Sequence, residues 1–139
     1  MSRNVDPAAL AELVAAAQRV RVHAHAPYSK FAVGAAVLDE QGRIHAGCNV
    51  ENAAYPQGWC AEASALSVMV ASGGKTVLAV AVCGDAPQPV TPCGGCRQKL
   101  REFAADDCPV LIADKNGLRV THRLADLLPF SFGPQYLKP

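Results

Sequence analysis

No part of the 139-residue sequence offers the ~20 consecutive apolar residues that span a bilayer. The longest apolar stretches, Phe31 to Leu38 and Val77 to Cys83, are strand-sized. A membrane protein is therefore not expected. No block of like charge occurs either: 13 Lys plus Arg stand against 12 Asp plus Glu, for a formal net charge of +1. A basic footprint for nucleic acid is missing, and so is the charge excess of a disordered chain. The opening residues Met1 to Pro7 lack the apolar core of a secretory signal, so a reducing, cytoplasmic location is expected. Repeats, low-complexity tracts and linkers are also missing. What remains, with 50% hydrophobic residues, fits one compact domain over residues 1–139.

A chain of this size needs no covalent staples, so six cysteines in a reducing compartment call for metal ligation or catalysis in at least some cases. Their placement depends on the elements. Asp6-Pro7 is a helix cap followed by proline at the first helical position, with Leu10, Leu13, Val14, Ala17 and Val20 at helical spacing, so the first helix ends before Pro27. Strands are predicted over Phe31 to Leu38 and Arg43 to Val50, joined by a hairpin at Asp39-Glu40-Gln41-Gly42. A second helix starts at Cys60 and stops at Gly73-Gly74. A buried strand follows over Thr76 to Gly84, then a proline-rich loop and a third helix starting at Cys93. Strands over Pro109 to Asp114 and Leu118 to His122, and a short helix over Arg123 to Leu128, complete the order. Strand-helix-strand crossovers in its middle predict an α/β fold, a mixed sheet with helices on its faces and ligands beyond the carboxyl ends of the strands.

Pro92-Cys93-Gly94-Gly95-Cys96 sets two thiols at a helix start, where free N–H groups and the positive dipole end favour thiolates. Alone, the pair suits a thiol-disulfide oxidoreductase or half of a structural zinc site. Cys60-Ala61-Glu62, at another helix start, resolves the choice: three soft ligands without an evident fourth suggest an open zinc site. Zinc acidifies a bound water, and Glu62, two residues past Cys60, can carry its proton without being a ligand. This arrangement is hydrolytic and matches the signature established for zinc-dependent deaminases. Cys48, Cys83 and Cys108 have no ligand spacing and read as small core residues. His23, His25, His45 and His122 read as ordinary.

Five segments carry a resemblance spanning nearly the whole chain. They are Pro27 to Ala36 (PYSKFAVGAA), Gly47 to Tyr55 (GCNVENAAY), Cys60 to Glu62, Pro92 to Gln98 (PCGGCRQ) and Leu127 to Pro134 (LLPFSFGP). Together they resemble the small, homotetrameric, three-cysteine cytidine deaminases. That resemblance implies a three-layer α-β-α sandwich on a five-stranded mixed sheet. It implies Zn²⁺ on Cys60, Cys93 and Cys96, with Glu62 as the proton carrier. It also implies deamination of cytidine and 2′-deoxycytidine in pyrimidine salvage. By the same resemblance Phe31 lines the pyrimidine site, Asn49 and Glu51 hold the ribose 3′-hydroxyl, and the backbone of Ala61 meets the base carbonyl. Tyr55 and Phe132 reach into a neighbouring subunit's site, so the partners expected are a nucleoside and other copies of the chain, with neither nucleic acid nor membrane. Blasticidin S or another cytosine nucleoside is the alternative substrate. The family's arginine after the catalytic glutamate is replaced by Ala63, which leaves helix N-termini and Arg97 to offset the charge of three thiolates on a divalent ion. Trp59, beside Cys60, has no motif support and stays outside the expected site.

Overall fold

The computed structural model describes residues 5–138; Met1 to Asn4, part of the opening read above, and Pro139 lie outside the described residues. The element order is α1 (Pro7–Arg21), β1 (Val33–Asp39), β2 (Ile44–Cys48), α2 (Ala61–Ala71), β3 (Val77–Gly84), α3 (Gly94–Arg101), β4 (Pro109–Asp114), β5 (Gly117–Arg123) and α4 (Leu124–Leu127). Single 3₁₀ turns lie at Tyr55–Gln57 and Pro134–Tyr136. Among the described residues five strands form one sheet in the order β2-β1-β3-β4-β5, in which β3 and β4 pair parallel and the other neighbours antiparallel. This is the mixed α/β sheet that the sequence predicts, with the same succession of elements.

Alternation along the strands divides the apolar side chains between two cores. Ala36 and Leu38 of β1, with Ala79, Ala81 and Cys83 of β3, pack on α1 through Leu13, Val14 and Ala17. Ala35 and Val37, with Val80, Val82, Val110 and Ile112, face Leu66 and Met69 of α2 and Leu100 of α3. Helices thus cover both faces. Cys83 and Cys108 are core residues, as expected from their lack of ligand spacing, whereas Cys48, read the same way, is only half-buried.

Local signals set the helix ends. The Asp6 side chain accepts the Ala8 amide at 3.0 Å, capping α1. At the end of α2, Gly73 takes φ +90°, while its amide and that of Gly74 return to the carbonyls of Val70 and Met69, closing the helix in a Schellman motif. Gly47 is where β2 meets α2: a Cβ there would lie 2.5 Å from the Ala65 nitrogen, so a larger residue would push α2 off the sheet. Ser64 fixes the same contact by donating to the Cys48 carbonyl at 3.0 Å.

His45 departs from its ordinary reading. Its ring is buried against the fully buried Asp39 carboxylate, with Nε2 2.8 Å from Oδ2. Asp39 also accepts the amides of Gln41 and Arg43 and the Arg43 guanidinium, each at 2.9 Å. A hairpin aspartate and a strand histidine six residues apart carry no local signal of burial; their pairing follows from the β1–β2 register.

Candidate active site

The starts of α2 and α3 meet beside the carboxyl end of β3, and each is capped by a cysteine in extended conformation: Cys60 for α2 and Cys93 for α3. Neither sulfur caps its own helix, so both are free to turn toward a common point. Cys96, in the first turn of α3, is buried and supplies a third sulfur. The three Sγ atoms lie within 4.8 Å of one another, and those of Cys60 and Cys93 are 3.9 Å apart. Three thiolates at Zn–S distances of ~2.3 Å in a tetrahedron stand about 3.8 Å apart, so the donor set fits zinc in both chemistry and spacing. Three protein ligands leave a fourth position open.

Burial pushes the Cys96 thiol well up, reinforced by Glu62 and the other two sulfurs, and pushes Cys60 up as well. At Cys93, burial is outweighed by the Cys96 amide and the neighbouring sulfurs, and its thiol is lowered. Glu62, 4% exposed in the first turn of α2, has its carboxyl raised by burial against weaker opposing effects of its own amide, Cys96 and Lys99.

A cavity of about 230 Å³ adjoins the sulfurs and brings together Phe31, Asn49, Cys60, Ala61, Glu62 and Cys93. Val82, Val90 and Thr91 also line it; sequence reading missed them, and only the Thr91-Pro92-Cys93 adjacency hinted at one. Asn49 shapes the rim, its Oδ1 accepting the Val33 amide at 2.8 Å and its Nδ2 donating to the Phe31 carbonyl at 2.9 Å. Each of these polar atoms retains capacity for one further hydrogen bond. Lys30, at φ +62°, holds a left-handed turn ahead of Phe31, a conformation that costs a non-glycine residue energy.

A second hollow, about 380 Å³, is walled by Tyr28, Ser29, Glu51, Asn52, Tyr55 and Gly58. The Glu51 carboxylate accepts the amides of Tyr28 and Ser29 at 3.0 and 3.1 Å and the Ser29 hydroxyl. The Ser29 hydroxyl and amide, with weaker help from the Tyr28 amide and His25, lower its carboxyl against the opposing effect of burial. Tyr55 packs edge-on against Tyr28 and is 75% exposed. Phe132 lines neither hollow: its ring stacks on Tyr136 at 5.1 Å and remains 57% exposed.

Arg97 and Trp59 each neighbour one of the clustered cysteines in sequence, and both side chains turn elsewhere. The three donors of Arg97 go to oxygens, the carbonyls of Pro92 and Leu127 and the Thr91 hydroxyl, rather than to sulfur. Trp59 lines a separate cavity with Ala63, Leu66 and Lys99, away from the one that holds Phe31 and Glu62.

Comparison with known proteins gives a consistent result. Residues 8–112 match the family model described as the cytidine and deoxycytidylate deaminase zinc-binding region. A protein of Sporosarcina psychrophila named cytidine deaminase is 42% identical over 126 residues, which cover 91% of this chain and 93% of that one. A cytidine deaminase of Mycobacterium tuberculosis is 43% identical over 110 residues, 79% of each chain. The crystal structure of cytidine deaminase from Burkholderia pseudomallei superposes with a TM-score of 0.81 at 40% identity, covering 87% of this chain and 97% of the other.

Proposed function

The chain belongs to the cytidine and deoxycytidylate deaminase family, and from that premise we propose that it hydrolyses the 4-amino group of cytidine and 2′-deoxycytidine, giving uridine or 2′-deoxyuridine and ammonia. The observation that carries this reading is a cluster of three sulfurs, two of whose cysteines line one cavity together with Glu62, Phe31 and Asn49. Cys60, Cys93 and Cys96 would hold Zn²⁺. When bound there, zinc acts as a Lewis acid that lowers the pKa of a coordinated water toward neutrality.

The remaining steps belong to the protein. Phe31 and the Ala61 backbone orient the pyrimidine. Glu62, nearly excluded from solvent, takes the proton of the attacking water and gives it to ring N3. As C4 becomes tetrahedral, Glu62 passes the hydroxyl proton to the departing amino group. Asn49 and Glu51, held in place by the bonds above, receive the ribose 3′-hydroxyl. Ribose and deoxyribose share that group, which supports acceptance of both sugars.

Residues 1–139 act as one deaminase domain, and the active unit is a homotetramer with shared sites. Support comes from the exposure of Tyr55, Phe130 and Phe132, large aromatics that a lone subunit leaves in water. A cytoplasmic place in pyrimidine salvage agrees with the use of three thiols as metal ligands. Blasticidin S is disfavoured as substrate by the names of relatives sharing about two fifths of the sequence. A thiol-disulfide role leaves Cys60 and Glu62 unexplained.

Product analysis with cytidine, 2′-deoxycytidine, free cytosine, adenosine and blasticidin S tests the reading. Turnover of the first two is expected; turnover of blasticidin S alone contradicts it. Light scattering tests the tetramer, which an active monomer excludes.

A further inference from the structure

The side chains of α3 hold two parts of the molecule at once. Downstream of Cys93 and Cys96, Arg97 Nη1 donates to the Leu127 carbonyl at 2.8 Å, and Gln98 Nε2 donates to the Phe132 carbonyl at 2.9 Å. Arg101 Nε donates to the Ser131 hydroxyl at 3.0 Å. Arg97 also reaches back: its Nε donates to the Pro92 carbonyl at 2.7 Å and its Nη2 to the Thr91 hydroxyl at 3.0 Å. Pro92 is fully buried and directly precedes Cys93, so its carbonyl is a rigid handle on that sulfur. One part-buried guanidinium therefore joins the Cys93 segment to the segment that bears Phe132.

We propose that Arg97 is a positioning residue that sets the Cys93 segment for zinc and ties it to residues 127–132, so that metal occupancy and the order of that segment are coupled. The inference rests on the deaminase reading of the three-sulfur site. A planar guanidinium can donate from three nitrogens to acceptors lying in different directions. A lysine ammonium, a compact charge on a flexible stem, cannot reproduce that span. The coupling is reciprocal: whatever zinc does for residues 127–132, order in those residues does for zinc.

The test uses the full-length zinc-loaded protein. Zinc release to a chromophoric chelator is timed, and hydrogen exchange of residues 127–132 is followed with and without zinc. In the wild type, zinc slows exchange there. Arg97→Lys keeps the charge but is expected to weaken zinc binding about 10- to 100-fold, the usual cost of losing a residue that orients a ligand, and to release zinc faster. It should also lose the zinc dependence of exchange. Thr91→Val removes one of the three acceptors and should release zinc at an intermediate rate; it decides the matter by itself if Arg97→Lys does not fold. Gln98→Ala frees Phe132 but not Pro92 and should affect exchange more than release. Wild-type release in both Arg97→Lys and Thr91→Val overturns the proposal, even if their zinc-free forms unfold at lower temperature. Zinc-independent exchange of residues 127–132 in the wild type overturns it too. A wild type without zinc would remove the deaminase reading as well, whereas a zinc-loaded, active wild type with insensitive variants removes only the role of Arg97.

Discussion

Glu62→Gln separates proton transfer from everything else the site does. The amide matches the carboxylate in shape and volume, sits in the same first turn of α2, and keeps an acceptor toward the cavity. Only the ability to bind and release a proton is lost. Loss of a positioned acid or base costs about 10²- to 10⁴-fold in rate, or about 2.7 to 5.4 kcal/mol of barrier. Because Glu62 serves both N3 and the leaving amino group, the drop in kcat is expected near the upper figure, with KM little changed. Since burial penalises the ionised carboxylate, a neutral amide should not lower the thermal stability of the protein. Glu62→Asp keeps the acid but withdraws it by one methylene; a misplacement of about 1 Å costs on the order of 10²-fold, so this variant should fall between. The assay is spectrophotometric deamination of cytidine, with zinc content and unfolding temperature measured on the same samples. A zinc-loaded Glu62→Gln protein retaining more than about a tenth of wild-type kcat would refute the role of Glu62 as proton carrier.

Asn49→Ala and Glu51→Ala should raise KM for cytidine more than they lower kcat, because sugar contacts are lost while zinc and Glu62 stay in place; a wild type that turns over free cytosine as well as cytidine contradicts this. Burial raises the Asp39 carboxyl, but His45, the Arg43 and Gln41 amides and the Arg43 guanidinium outweigh it and bring the group from 3.8 down to about 2. Allowing for solvent screening at the hairpin, this contributes about 1 to 2 kcal/mol of stability, present above pH ~4 and lost as pH falls through ~2. Denaturant titrations across that window should lose this increment in the wild type and not in Asp39→Asn; parallel losses contradict it.

The order of elements was legible because its punctuation is local. Asp6-Pro7, the Asp39 to Gly42 turn and Gly73-Gly74 each stop or start an element through the chemistry of one or two residues. The clustering of Cys60, Cys93 and Cys96 was legible because two of them stand at helix N-termini and the third lies one turn on, so sequence spacing translates directly into space. Contacts set by tertiary register were not legible. The burial of His45 on Asp39 depends on β1–β2 pairing. The donors of Arg97 reach the Leu127 carbonyl and the Thr91 hydroxyl, partners that no sequence spacing announces. Phe132 was placed in the site by motif alone, and its stacking on Tyr136 and its exposure depend on a tail conformation that carries no local signal.

The central claim, a hydrolytic site built on one zinc held by Cys60, Cys93 and Cys96, is tested most directly by zinc add-back. Metal-stripped protein is titrated with zinc while cytidine turnover is recorded. The account predicts no activity without metal, a linear rise to a break at one zinc per chain, and no recovery in Cys96→Ser. Full turnover by the stripped protein, or wild-type recovery in Cys96→Ser, would contradict it.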